Sequence, residues 1–428
     1  EIHIKAHRGK TERTFYTDEK IEAARENIEK YPWARSMRDA AVKRAEPYAG
    51  KEEALWNLVT PQSIPRAITV GVQYDPKAYS CRYCGVDLRS KYGQYPWLLN
   101  PLGDPWKIQC PDCRRKFPSN DFGKYYELGL DEHGIFRPEL AKQKNAELVA
   151  QGEDGYLKNI LYPEMDEKLG VTNWGADDGM GYKPGTKCEN GAEEIHSYIA
   201  YYNHWGIWYT TSVANSGVLY NAVTGLRDAY LYTGEERYGR TGAILLDRMA
   251  DVYPDFDLIP YSYFYLTPSL KYEGKVINKV WETSLARTMV YGYDAFYNAY
   301  EDPYVIQFLS QKASQYQLEN RKQTVADIRR NGEDNILREV HRECKSGQIN
   351  GNFGMHQSTL ALTAVVLNTF PESREMVDWI MQAGERLNGE RGAPVTGGNV
   401  LPQIMGVVNR DGIGNEVAPQ YNDFWLTY

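Results

Sequence analysis

The stretch SVANSGVLYNAVTGLRDAYLYTGEERYGRTGAILLDRMADVYPDFD, residues 212–257, decides the fold. Apolar residues recur in it at the three- and four-residue spacing of an amphipathic helix, on both sides of a short polar TGEE turn. Thr233 is expected to cap the second helix, and Glu236 is expected to complete a capping box. The stretch therefore predicts two helices joined as a helical hairpin.

The same periodicity recurs through most of the chain. Residues 11–49 predict a charged amphipathic helix that Pro32 divides in two. Segments that begin near residues 280, 319, 357 and 372 predict further helices of roughly 12 to 20 residues. Such helices, joined by short polar turns, favour an array of helical hairpins, either a solenoid or a toroid. Residues 123–190 contain repeated Gly and Asp and predict long surface loops.

Composition and charge limit the class of protein. The chain has 428 residues, 42% of them hydrophobic and 25% charged, as in a globular protein with a large core. Its net charge of −8 argues against a nucleic-acid-binding surface, and the absence of a run of 18 apolar residues argues against a membrane span. The first residue, Glu1, fits removal of a signal peptide or trimming of the chain; we favour the former, hence a periplasmic or secreted protein.

Two CxxC pairs predict a metal site. Cys81 and Cys84 form the first pair, and Cys110 and Cys113 form the second after 25 intervening residues. This spacing is typical of a structural zinc ribbon, in which four thiolates surround one Zn²⁺. Because sulfur would occupy all four coordination positions, such an ion stabilises the fold and has no open coordination position for a substrate. Two disulfides are the alternative in an oxidising compartment.

The segment NGNFGMHQ, residues 350–357, contains a candidate catalytic group. His356 opens an apolar helix, and a helix N-terminus tends to keep an imidazole neutral and fit to act as a base. The alternative is a histidine satisfied by local capping bonds. Asn350, Asn352 and Gln357 crowd the same turn and offer amide donors to a carboxylate.

Two further segments contain candidate site residues. The glycines and the proline of DGIGNEVAPQYN, residues 411–422, indicate a loop that presents Tyr421, with Glu416 as an orienting or hydrogen-bonding group. A phenol suits a reaction in which one group removes and then returns a proton. YYNHWG, residues 201–206, adds Asn203 and His204, either to the same cleft or to an aromatic helix packed on a neighbour.

Together these motifs resemble the heparinase II/III superfamily of polysaccharide lyases, which includes alginate lyases. The resemblance covers residues 31–35, the cysteine cluster followed by FPSNDF, LRDAYLYTGEERY, the MHQ segment and the DG…NE..PQYN loop. It implies an (α/α) toroid followed by an antiparallel β-domain, with the site in the cleft between them. It also implies that Asn352 or Gln357 neutralises the substrate carboxylate, and that His356 and Tyr421 transfer protons.

The resemblance implies β-elimination on 4-linked uronic-acid glycans such as heparan, chondroitin, hyaluronan or alginate. Asn203, His204, Glu416 and Asn350 are the expected substrate-binding residues, and structural zinc is the expected cofactor. The expected partner is an acidic polysaccharide or oligosaccharide; self-association into a homo-oligomer stays open.

Two alternatives to a lyase stay open. One is an inverting glycoside hydrolase, which needs two carboxylates roughly 6.5 to 9.5 Å apart; Asp177, Asp178 and Glu416 are its candidates. The other is a non-catalytic glycan-binding scaffold, which the 34 tyrosines and 10 tryptophans would suit. The expected organisation is an N-terminal helical region (1–73), a zinc-ribbon-like insertion (74–122) and a toroidal catalytic region (123–428).

Overall fold

The computed structural model describes residues 9–68, 70, 80–81, 83–93, 95–157, 198–210, 217–257, 262–263, 274–277, 279–351, 354–385 and 395–407. Helices make up most of this part of the chain, and the strands are short. The prediction of a mainly α-helical protein is therefore confirmed.

The helices follow one another along the chain with short connections at many places. They are α1 (Asp18–Lys30), α2 (Pro32–Ala45), α3 (Glu52–Leu58), α4 (Leu88–Tyr92), α5 (Phe122–Leu128), α6 (Pro138–Ala150), α7 (Tyr198–Tyr201), α8 (Val218–Thr233), α9 (Glu236–Val252), α10 (Lys279–Phe296), α11 (Pro303–Gln315), α12 (Val325–Gly332), α13 (Glu339–Ser346), α14 (Met355–Leu367), α15 (Glu372–Met381) and α16 (Val400–Val407). Two π-helical segments, Tyr202–Trp208 and Glu333–Arg338, continue α7 and α12.

The hairpin predicted from residues 212–257 is present as α8 and α9, which pack against each other. The predicted cap is wrong by two residues, because Gly234 ends α8 in the left-handed region (φ +77°) and Glu235 is the N-cap of α9. Thr233 belongs to the last turn of α8, where its hydroxyl donates to the Ala229 carbonyl at 2.7 Å. The same hydroxyl oxygen accepts a hydrogen bond from the Glu235 N–H at 3.1 Å, so Thr233 stabilises the turn between α8 and α9.

The helices form a continuous packed series. α8 also packs against α2, and a Cβ at Gly225 would lie 3.1 Å from the Arg44 carbonyl carbon of α2, so glycine permits this close approach. α9 packs on α10, α10 on α14, and α14 on α15. Most of their buried apolar side chains belong to one cluster that also includes the cysteine-rich region, whereas Leu231 and Ala295 pack with Ile21 in a smaller one. The predicted division at Pro32 is confirmed, since α1 ends at Lys30 and α2 begins at Pro32.

The prediction of long loops from residue 123 onward is wrong for its first part, which contains α5 and α6. The Asp121 carboxylate accepts the Lys124 N–H at 3.2 Å and caps α5. Pro138 occupies the first turn of α6, where its missing N–H costs nothing, and strong helix formers follow it. Residues 158–190 lie outside the described part of the chain.

Three of the short strands lie within the predicted insertion, residues 74–122. β2 (Leu98–Leu99), β3 (Ile108–Gln109) and β4 (Lys116–Phe117) form an antiparallel sheet in that order. β1 (Arg66–Ala67) pairs in parallel with β5 (Ser262–Tyr263), which connects the N-terminal region to a segment almost 200 residues later. None of the helices in the described ranges is long and apolar enough to cross a membrane.

A buried group of charges fastens α9 to the segment before α12. The Lys322 ammonium contacts the Asp247 carboxylate and both Asp251 oxygens, the latter at 2.6 and 2.7 Å. Asn331 donates to Asp247 at 2.8 Å. Burial raises the pKa of Asp247 to about 6, against the lowering effect of the lysine charge. The group therefore depends on Lys322 to balance two carboxylates inside the protein.

Candidate functional site

The four predicted cysteine ligands lie together. All four sulfur atoms, from Cys81, Cys84, Cys110 and Cys113, lie within 4.8 Å of one another, and the sulfurs of Cys81 and Cys113 are 3.8 Å apart. Metal–sulfur bonds of about 2.3 Å in a tetrahedron place sulfurs about 3.8 Å apart. The thiols are free, so this arrangement fits one tetrahedral ion and not the alternative of two disulfides.

Both CxxC turns have the same local geometry. Gly85 follows the first pair at φ +73°, and Arg114 follows the second at φ +63°. In each turn this residue donates its N–H to the carbonyl of the first cysteine, Gly85 to Cys81 at 2.8 Å and Arg114 to Cys110 at 3.0 Å. The turns thus present two sulfurs each from the same side of the backbone, as a knuckle-type metal site requires.

The thiols need a cation to ionise together. Burial raises the pKa of Cys81 and of Cys110 above the ordinary thiol value. Burial also opposes ionisation of Cys113, but the Arg115 N–H and neighbouring thiols that hydrogen-bond to its sulfur lower its pKa overall. A bound divalent ion supplies the charge that four close thiolates require.

His356 lies where the sequence places it, in the first turn of α14 after the N-cap Gly354. It lines a cavity of about 280 Å³, which we call the His356 cavity, together with Asn350, Glu385 and Asn399. The Asn350 side-chain oxygen accepts the Gly351 N–H at 2.8 Å. An imidazole, two amides and a carboxylate therefore meet at the N-terminus of an apolar helix, an arrangement suited to proton transfer beside an anionic ligand.

A glycine segment that none of the sequence motifs indicates closes one side of the His356 cavity. Gly398 donates its N–H to the Trp379 carbonyl at 2.7 Å, and Asn399 donates to the Gln382 carbonyl at 2.9 Å. A Cβ at Gly397 would lie 2.5 Å from the Gln382 oxygen, so only glycine allows this approach. The signal in the sequence is the GGN of residues 397–399, which follows the predicted helix by several residues.

Gln357 fixes that segment to α14. Its side chain is buried, and its amide nitrogen donates to the Gly398 carbonyl at 2.7 Å. The N–H group expected to bind a substrate carboxylate is thus engaged within the protein in this conformation. In the described structure Gln357 shapes the His356 cavity by holding its wall.

Asn203 and His204 lie in the π-helical segment after α7, and neither is among the described residues that line the His356 cavity. Asn203 is fully buried; its amide nitrogen donates to the carbonyls of Ile64 and Pro65, both at 3.1 Å, and its oxygen accepts the Thr60 hydroxyl at 2.6 Å. Asn203 therefore anchors the chain before β1, which agrees with the packing alternative.

His204 is fully buried as well, beside the rings of Trp205 and Tyr209 at centroid distances of 4.8 and 5.4 Å. Burial, and secondarily the Arg66 charge, lowers the pKa of His204 to about 3. The imidazole is therefore neutral at physiological pH.

The remaining predicted residues, Asn352, Glu416 and Tyr421, lie outside the described residues. The structure thus brings Asn350 and His356 to one cavity, with Gln357 behind its wall. A scan against protein-family models finds no match, and searches of curated proteins and of solved structures find none either. The likeness to heparinase II/III enzymes rests on the sequence motifs alone.

Proposed function

We propose that the chain is a polysaccharide lyase that cleaves 4-linked uronic-acid glycans by β-elimination. The observation that carries the proposal is the position of His356, which opens α14 and lines the His356 cavity with Asn350. This is the segment on which the resemblance to heparinase II/III enzymes places a proton-transferring histidine. The same resemblance leads us to infer that the packed helices close into an (α/α) toroid.

The reaction removes the C5 proton of the uronic acid. The electron pair of the C5–H bond forms the C4=C5 double bond while the C4–O4 bond breaks, and the departing O4 takes up a proton. The C5 proton becomes acidic when donors stabilise the charge that develops on the adjacent carboxylate. We assign this stabilisation to Asn352, with Gln357 as the alternative if its bond to Gly398 opens on substrate binding.

Tyr421 is the proposed base and acid. One phenol takes the C5 proton and returns it to O4 when both lie on the same face of the sugar. His356 is the alternative base, or the group that favours the tyrosinate. Either role requires the His356 cavity and the Tyr421 loop to meet at the substrate.

We propose Zn²⁺ as the ion held by Cys81, Cys84, Cys110 and Cys113, in a zinc-ribbon-like unit. Four thiolates in a tetrahedron suit zinc and leave no open coordination position. The ion would contribute stability to the fold. The elimination itself is assigned to the protein side chains.

The test is a screen of heparan sulfate, chondroitin sulfate, hyaluronan and alginate for new ultraviolet absorbance from the unsaturated uronide. We expect absorbance with at least one of them, and a loss of about 100-fold or more in His356→Ala, since general acid–base catalysis contributes about 10²–10⁴-fold. His133→Ala is the matched control, because His133 is exposed.

New reducing ends without absorbance would identify a hydrolase instead, and binding of a glycan without turnover would identify a scaffold. Tyr421→Phe keeps the ring and deletes the titrating oxygen. If that variant turns over at the unaltered rate, the assignment of Tyr421 is wrong.

A further inference from the structure

A second and larger cavity, of about 440 Å³, lies between α3, the cysteine-rich region and α9. We call it the aromatic cavity because Trp56, Trp106, Tyr126 and Tyr316 line it. Trp56 and Tyr316 stack with ring centroids 5.0 Å apart and planes at 12°, and Trp106 lies 4.7 Å from Tyr126. Four aromatic side chains from distant parts of the sequence thus form the wall of one space, and aromatic walls are common in sites that bind a ring-shaped ligand.

The aromatic cavity also contains a buried cation. Arg248 of α9 lines it and is 2% exposed, with its guanidinium carbon 4.0 Å from the Trp56 ring centroid. Among the described residues, its Nε and Nη1 atoms have no hydrogen-bond acceptor. Nη1 lies 3.7 Å from an Asp251 oxygen, too far for a hydrogen bond, and Lys322 binds that carboxylate at 2.6 Å.

A second donor accompanies the guanidinium. The indole Nε1 of Trp56 is buried and likewise has no acceptor within the described part of the chain. Both groups donate only and cannot satisfy each other. Buried donors without an acceptor cost free energy, so a ligand that supplies the acceptor oxygens recovers it.

The groups that line the aromatic cavity indicate which class of ligand it binds. A guanidinium binds a carboxylate through two parallel hydrogen bonds, and a sugar ring stacks on an aromatic face. The carboxylates of Glu53 and Glu127 line the same cavity; Glu53 already accepts from Lys312 through one oxygen, and the remaining carboxylate oxygens can accept hydrogen bonds from hydroxyl groups. Lys312, whose ammonium lies 4.5 Å from the Trp56 ring centroid, is already paired with Glu53 at 2.6 Å. With Glu127 in the wall and Asp251 behind it, Arg248 therefore suits a monoanion better than a phosphate dianion.

We propose that the aromatic cavity binds a uronic acid ring, with the carboxylate at Arg248 and the ring face on the aromatic side chains. The site is separate from the His356 cavity, and its volume fits one or two sugar rings. The choice of a uronic acid rests on the proposed lyase function. The need for a carboxylate rests on Arg248 and Trp56 alone.

Binding is measured by titration calorimetry and tryptophan fluorescence with glucuronate, mannuronate and guluronate. Methyl glucuronate ester, glucose and inorganic phosphate are the comparison ligands. We expect saturable binding of at least one uronate, and binding of its neutral analogue weaker by about 10-fold or more, because a charged hydrogen-bonded pair is lost. Phosphate that binds as tightly as the uronate would overturn the proposal, as would the absence of uronate binding.

Three variants locate the site. Arg248→Gln should weaken binding by about 10-fold or more, and Trp56→Phe, which keeps a ring but removes the N–H, should weaken it several-fold. Arg374→Gln alters an exposed arginine that lines neither cavity, and it should bind the uronate like the unaltered protein. Unchanged uronate binding in both Arg248→Gln and Trp56→Phe would place the ligand elsewhere and refute the site.

If Arg248→Gln fails to fold, Trp56→Phe decides, and unchanged affinity in that variant refutes the role of the indole donor. The proposed uronate site and the proposed lyase function can be refuted independently. Uronate binding that Arg248→Gln abolishes, in a protein that produces no unsaturated product, supports the aromatic cavity and refutes the lyase.

Discussion

The buried imidazole of His204 should make the folded protein less stable in acid. The side chain is completely enclosed in the π-helical segment, and burial together with the Arg66 charge lowers the pKa of His204 to about 3. An unfolded histidine takes up its proton near pH 6.5. Below pH 6.5 the unfolded state therefore binds one proton that the folded state does not bind.

The sign and size of the effect follow from this difference. The stabilisation is complete above pH 6.5 and is lost as the pH falls from 6.5 toward 3, by about 1.4 kcal/mol per pH unit. Between pH 7 and pH 5 the free energy of unfolding should therefore fall by about 2 kcal/mol through this residue. That loss is a large fraction of the net stability of a typical protein.

The assay is urea unfolding at pH 7, 6 and 5 for the unaltered protein, His204→Gln and the control His133→Gln. His133 is exposed, so its substitution controls for the loss of a histidine that the fold does not enclose. His204→Gln should lower stability at pH 7 but flatten the change between pH 7 and 5 by about 2 kcal/mol. Acid release of a metal acts on all three proteins alike and cancels in the comparison.

Parallel pH profiles for His204→Gln and the unaltered protein would refute the reasoning. A direct measurement is also available if His204→Gln does not fold. The imidazole carbon-bound protons of His204 in the folded protein should keep one chemical shift from pH 7 to pH 5. A titration midpoint near pH 6.5 at that resonance would show that the ring is accessible and that the argument fails.

Three further outcomes are expected. Metal analysis should find one zinc per chain, and Cys110→Ser should lose it and unfold at lower temperature, whereas Cys344→Ser, a buried cysteine outside the cluster, should retain it. Lys322→Met should cost about 3–5 kcal/mol in urea unfolding, because Asp247 and Asp251 stay buried without their cation, and equal stability of the variant would contradict this. Gly225→Val should cost about 1–3 kcal/mol, since its side chain meets the backbone of α2; an unchanged urea midpoint would contradict the close packing of α2 and α8.

Structural features that depend on residues close together in the sequence could be predicted from local sequence patterns. Helical periodicity predicted the α8–α9 hairpin, and the CxxC spacing predicted the sulfur cluster, because both are short-range features. The cap of α9 was misplaced because Thr233 and Gly234 both have strong preferences at helix ends, and the left-handed conformation of Gly234 decided between them. α5 and α6 were missed because Gly and Asp near their ends suggested loops.

The roles of buried polar residues depend on partners that periodicity does not identify. Asn203 has the same chemistry whether it binds a sugar or two backbone carbonyls, and its partners lie about 140 positions earlier in the chain. Gln357 likewise bonds to Gly398, which follows it by 41 positions. No motif in the sequence indicates a role for Arg248, because it lies in a helix with ordinary amphipathic spacing and is distinguished only by its burial beside Trp56.

The cysteine cluster and the aromatic cavity are mechanically connected. Trp106 lies between β2 and β3, and β3 leads directly into Cys110. A metal that holds the CxxC turns in place also holds this strand and therefore the Trp106 wall, whereas His356 and Gln357 are positioned by α14 and by the glycine segment. Loss of the proposed zinc should accordingly weaken the proposed uronate binding in the aromatic cavity and leave the His356 cavity in place. The metal would then affect glycan binding without a direct part in the proposed elimination.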